Sequence, residues 1–144
     1  MIVLNRLFHD HNHSQHIDYD LYLTAEQRKR SYQRIETKDN QIFLLKLPRG
    51  THLHLDDILI SEDNQLVQVK AQPEEVITVT ATTSLQLLKG AYHLGNRHIP
   101  LEITPDYLRL TYDRVLEEML IKMGLKITIE TAIFEPETGA YHHH

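Results

Sequence analysis

Residues 76–133 read VITVTATTSLQLLKGAYHLGNRHIPLEITPDYLRLTYDRVLEEMLIKMGLKITIETAI, and two periods alternate along them. Val76 to Thr80 is a β-branched, apolar run that reads as a strand. Thr83 and Ser84 then offer a helix cap. Leu85, Leu87, Leu88, Ala91, Tyr92 and Leu94 follow as a broad helical stripe, with Gly95 where a C-terminal glycine belongs. Ile99 to Ile103 reads as a second strand, Thr104-Pro105-Asp106 as a turn, and Tyr107 to Thr111 as the hairpin partner. Asp113 caps a second helix that sets Val115, Leu116, Met119, Leu120 and Met123 on one side, and Gly124 stops it. Ile127, Ile129, Thr131 and Ile133 alternate as a last strand. The order is β-α-β-β-α-β, the ferredoxin-like split βαβ pattern.

Upstream, short strands follow one another with turns between them. Ile2 to Phe8 and Tyr19 to Leu23 are short strands, and residues 32–37, 41–47, short segments from Leu53 to Ile60, and 65–71 follow as a meander; together they predict a small β-sandwich or barrel. Thr24 and Gln27 have capping-box spacing for one or two helical turns. Arg28, Lys29, Arg30 and Arg34 form the one basic cluster, read as a solvated face. Pro73-Glu74-Glu75 is the boundary candidate. The chain is therefore expected to be α+β: a small all-β domain over residues 1–73, a ferredoxin-like domain over 75–135, and a flexible, His-ending tail over 136–144.

Composition narrows the function classes. Of 144 residues, 41% are apolar and 24% charged, an ordinary globular balance. There is no cysteine, which excludes disulfides, zinc fingers, iron–sulfur clusters and thiol nucleophiles. A net charge of -5 argues against nucleic acid as a partner. No apolar run has the roughly 20 residues of a membrane span, and MIVLNRLF is too short for a signal peptide. A cytoplasmic protein that does not bind membrane is expected. No nucleophile elbow, phosphate loop or paired protease histidines appear, so no enzymatic activity is expected.

The anomaly is eleven histidines. Without thiols, imidazole is the best transition-metal ligand left, and it suits zinc, nickel and copper. His93 and His98 lie five apart across the first helix end. Their plain readings are a cation on the helix C-terminal dipole and a locally bonded turn residue. One or two imidazoles per chain are too few for a closed site, unless a two-fold dimer sets the same histidine on both sides of its axis. His9, His11 and His13 would share one face of a strand and so one metal ion, or form a looser His-rich metal-binding tract in a loop, against the plain reading of a solvated linker. His52 and His54 read as ordinary strand-edge residues. His142, His143 and His144 follow GAY with no linker and read as part of the chain rather than a shortened tag.

At residues 89–103, KGAYHLGNRHIPLEI, the sequence resembles the UreE family of urease accessory proteins. LTAEQRKRSYQR (23–34), LPRGTHL (47–53), YDRVLEEMLIKMGL (112–125) and FEPETGAYHHH (134–144) carry the likeness over most of the chain. The resemblance implies a homodimeric nickel metallochaperone. Its β domain would be similar to peptide-binding domains of co-chaperones, and its ferredoxin-like domain would hold the metal. It further implies that His98 from each subunit meets at the dimer interface, that His142, His143 and His144 supply further ligands, and that His93 is an accessory. Zinc is expected to bind the same site as Ni2+. The implied partners are a urease maturation GTPase, other accessory proteins and apo-urease. One departure concerns a His-x-His pair that some members carry at the start of the last helix. Tyr112 and Arg114 stand there, and arginine does not ligate. The His9, His11 and His13 tract lies outside the stretches that carry the resemblance and would add metal-binding capacity beside the short tail. A reading from another class is a peptide-binding or scaffolding module of an assembly complex, with only a structural metal at its interface.

Overall fold

A computed structural model describes residues 1–9 and 16–138. The chain divides into two compact units, Met1–Gln72 and Pro73–His144.

The first unit carries strands β1 (Ile2–Leu7), β2 (Tyr19–Leu23), β3 (Tyr32–Glu36), β4 (Ile42–Lys46), β5 (Ile58–Ser61) and β6 (Leu66–Ala71), with one helical turn, α1 (Ala25–Arg28). They form one sheet in the order β2-β6-β5-β1-β4-β3. This is not a meander. β1 lies between β4 and β5, parallel to the first through Ile2↔Phe43 and antiparallel to the second through Leu7↔Leu59. An apolar first strand buried on one face satisfies both of its backbone edges only inside a sheet.

The sheet rolls around its core. In a flat sheet, the four steps from β2 to β4 would cover about 19 Å. Instead the Tyr19 and Phe43 rings meet edge to face with centroids 5.6 Å apart. Leu4, Leu21, Leu45, Leu59 and Val67, from five strands, lie fully buried in the same cluster. The capping box is present: the Gln27 amide donates to Thr24 Oγ1 (3.2 Å) and the Thr24 amide to Gln27 Oε1 (2.9 Å). The basic cluster is not one solvated face. Arg28 is buried and its Nη1 donates to the Leu23 carbonyl at 2.8 Å. Arg30 and Arg34 lie near Glu26 and Glu36 in exposed ion pairs.

The second unit has β7 (Glu74–Thr80), α2 (Ser84–Gly95), β8 (Glu102–Ile103), β9 (Leu108–Thr111), α3 (Arg114–Lys122) and β10 (Lys126–Ala132). Its strand order is β10-β7-β9-β8, antiparallel throughout, as the split βαβ order requires. The α+β class and the expected element order are both present. Thr83 Oγ1 accepts the Gln86 amide at 3.2 Å, and Asp113 Oδ1 accepts the Leu116 amide at 3.0 Å, so both helices start where their caps stand. Gly124, at φ 81°, ends α3 in the left-handed region that glycine favours.

One sheet face, through Ile77, Val79, Leu108 and Leu110, joins Leu94, Leu116, Leu120 and Leu125 in a single core. Gly90 lets α2 approach this layer: a Cβ there would stand 3.1 Å from Leu125 Cδ1. Leu120 is wholly buried. We expect Leu120→Ala to cost about 2–5 kcal/mol, read as a lower denaturation midpoint at unchanged slope.

Candidate metal centre

Gly95 does not take the left-handed position at the end of α2. The helix runs through it, and Asn96 is the C-cap in ordinary right-handed geometry. The Arg97 amide donates to the Leu94 carbonyl and the His98 amide to that of Gly95, each at 3.1 Å. The reversal falls on His98, whose φ is 57°. A left-handed conformation costs a non-glycine residue roughly 1–2 kcal/mol, and histidine is among the types enriched there. Pro100 offers no amide to a ladder, and the expected strand over Ile99 to Ile103 shortens to Glu102–Ile103. His98 is exposed, between buried Leu94 and buried Leu101. Its backbone is held on both sides while its ring faces solvent.

The helical stripe of α2 is only half used. Leu94 is buried and Leu87 and Ala91 pack on the core, but Leu85, Leu88 and Tyr92 are 60%, 66% and 66% exposed. Residues 85, 88 and 92 share one face of a helix, so an uncovered apolar stripe ends beside the turn that carries His98. His93, exposed on the last turn, sets its ring edge to face with that of Tyr92, centroids 5.3 Å apart.

Other sequence candidates are placed less closely together. His9 is exposed and lies beyond the end of β1, whereas His11 and His13 fall outside the described residues, as do His142, His143 and His144. His52 and His54 stack nearly parallel at 5.1 Å. Tyr112 and Arg114 are engaged locally. The Tyr112 hydroxyl donates to Glu117 Oε1 at 2.9 Å, which holds its pKa above the ordinary value, and Arg114 lies 3.7 Å from Glu118. Among the described residues no three histidines or carboxylates gather as a group able to hold a metal ion. His98 thus stands apart from any such group among the described residues.

Sequence periodicity gave no signal for one further feature. After β10 the chain turns back along the second unit. The Glu135 amide donates to Glu102 Oε1 at 2.8 Å, and the Glu137 amide donates to the Leu101 carbonyl at 2.8 Å. The last described residue, Thr138, thus leaves from a point three residues along the chain from His98.

A rolled β unit is followed by a ferredoxin-like unit that presents an exposed histidine at a helix end. The comparisons place it. Residues 3–72 match the family model described as the UreE urease accessory protein, N-terminal domain, and residues 74–144 match the C-terminal domain. Similar proteins include the urease accessory protein UreE of Nostoc sp., 56% identical over 129 residues, covering 89% of this chain and 88% of the relative. That of Nostoc punctiforme is 53% identical over 131 residues with the same coverage, and that of Shewanella halifaxensis 43% over 125, covering 87% and 73%. The chain belongs to the UreE family of urease accessory proteins. No helix among the described residues is long and apolar enough to cross a membrane.

Proposed function

We propose that this chain is a nickel-binding metallochaperone that delivers Ni2+ during maturation of the urease active site. Family membership supports the role in urease maturation. The observation that carries the finer reading is His98, exposed in a left-handed turn at the end of an uncovered apolar helix face. Two copies joined along Leu85, Leu88 and Tyr92 would bring two such turns toward one axis. The two His98 imidazoles would then anchor one ion. Among His142, His143 and His144, one or two would add ligands, with His93 as an accessory close by.

Chain geometry supports the tail's part. Thr138 follows the Glu137 amide bound at Leu101, and four residues reach at most about 14 Å, ample for the three-residue separation from Leu101 to His98. A ligand on a tether raises affinity by effective concentration, and it can leave one group at a time as an acceptor takes over. Ligation needs neutral imidazole, so acid would release the metal. Zn2+ would compete for the same axis, because affinity order does not single out nickel. The reading places the homodimer in the cytoplasm, handing metal to a maturation GTPase, other accessory proteins and finally apo-urease.

The test is urease activation at limiting nickel by a chain lacking residues 1–73, with its nickel binding checked alongside. Retained binding and activation support metal delivery by the second unit. Retained binding with activation abolished would favour a scaffold that works through its β unit.

A further inference from the structure

We propose that Glu102 and Arg109 are positioning residues for the metal centre. They hold residues 133–137 as a strap across the sheet face turned away from the helices, and the strap aims the terminal histidines at His98. This rests on the reading of His98 and the tail as joint ligands.

The face is defined by register. Thr78, Arg109 and Glu102 are cross-strand neighbours on β7, β9 and β8, and directly opposed residues project to the same side of a sheet. Ile77, Leu110 and Leu108 occupy the other side, in the helix core. A row of polar groups on the open face would ordinarily be solvated, but this row is not. The side chains of Arg109 and Glu102 are only 15% and 12% exposed.

Arg109 Nε donates to Thr78 Oγ1 at 3.0 Å, and its Nη1 reaches the Ile133 carbonyl at 3.4 Å. Its guanidinium sits 4.5 Å above the Tyr107 ring, 3.6 Å from Glu102 and 3.7 Å from Glu130. Glu102 takes the Tyr107 hydroxyl on Oε2 (3.0 Å) and the Glu135 amide on Oε1 (2.8 Å). The Glu102 hydrogen bond raises the Tyr107 pKa, so that hydroxyl stays a donor.

The cluster thus grips the strap by its backbone at Ile133 and Glu135. Phe134, between them, is 1% exposed although it belongs to neither the last strand nor the helix core. The Leu101 carbonyl adds a third backbone hold, at Glu137. Charge-assisted bonds to backbone amides are among the stronger hydrogen bonds, and here they act on a segment that periodicity marks only as a tail. The arrangement costs two charged side chains, Arg109 and Glu102, much of their hydration. A tail meant only to be soluble has no use for it. A tail whose ligands must stay near one turn does, because effective concentration depends on where the tether starts.

The experiment measures nickel affinity of Glu137→Pro and Glu102→Ala, each in the full chain and in a chain ending at Thr138. Glu137 is exposed, and proline there removes one amide donor with little else. We expect each substitution to weaken nickel binding of the full chain about tenfold and to leave the shortened chain unchanged. Glu102→Gln keeps an acceptor for the Glu135 amide and should bind nearly as the natural chain does. Equal losses in full and shortened chains would show a merely structural role and overturn the proposal. So would full affinity in both variants while shortening still weakens binding, because the tail would then find His98 without the strap. If shortening the natural chain costs nothing, the tail-ligand reading itself fails, and the strap proposal falls with it.

Discussion

On the proposed function, replacing His98 with alanine should remove a nickel ion shared between two chains while leaving their pairing intact. The ion would lose two imidazoles at once, one from each subunit, and among the described residues no cluster of three histidines or carboxylates stands ready to hold it instead. Loss of an outer-shell partner alone costs about 10–100-fold in metal affinity, so loss of two direct ligands should exceed about 100-fold. His98→Gly sharpens the test. At φ 57° glycine escapes the left-handed penalty, and the gain, reduced by glycine's extra freedom in the unfolded chain, is about 0.5–1 kcal/mol. A variant that melts higher yet binds nickel no better than alanine would show that histidine is kept at this turn for its ring. Calorimetric titration and thermal melts read both effects. Unchanged tight binding in either variant would move the metal to the histidines near residues 9–16.

If two chains pair along α2 as proposed, replacing Leu88 with aspartate should separate them and take nickel with them. Leu88 is the most central of the three uncovered residues on α2, with Leu85 one turn before it and Tyr92 one turn after. In a two-fold interface the substitution enters twice. Each carboxylate would lose water to an apolar surface without a partner, at a cost of at least about 2 kcal/mol apiece, so dimer affinity falls about 1000-fold or more. Because residue 88 is exposed in the isolated chain, the fold itself should survive. Sedimentation would show monomers, and nickel affinity would fall with the dimer. A monomer that keeps tight nickel would contradict a site shared across the axis.

The sequence was most informative where structure is local. Thr24 with Gln27, Thr83, Asp113 and Gly124 mark helix ends by direct bonds to nearby amides or by a backbone region only glycine enters freely, and each sits where its spacing predicts. The βαββαβ order followed for the same reason. Pairing was less legible. Nothing in the first six residues says that β1 will part β4 from β5, because that choice depends on backbone edges distant in sequence. Amphipathic period also overstates burial. It groups Leu85, Leu88 and Tyr92 with Leu94 but cannot distinguish residues facing this chain's core from residues left uncovered on it. The His98 turn was hidden by the glycine three residues before it, which is the commoner left-handed residue. The strap was invisible because Ile133, Glu135 and Glu137 are held one by one, by partners on other strands and by Leu101, with no period to reveal them.

On the proposed function, two copies of His98 hold one ion between them. Native mass spectrometry of the full chain with limiting nickel counts ions per assembly directly. One tightly held ion per two chains, absent from His98→Ala at the same nickel concentration, is the expected result. One ion on every chain, or nickel carried by monomers as tightly as by dimers, would contradict it.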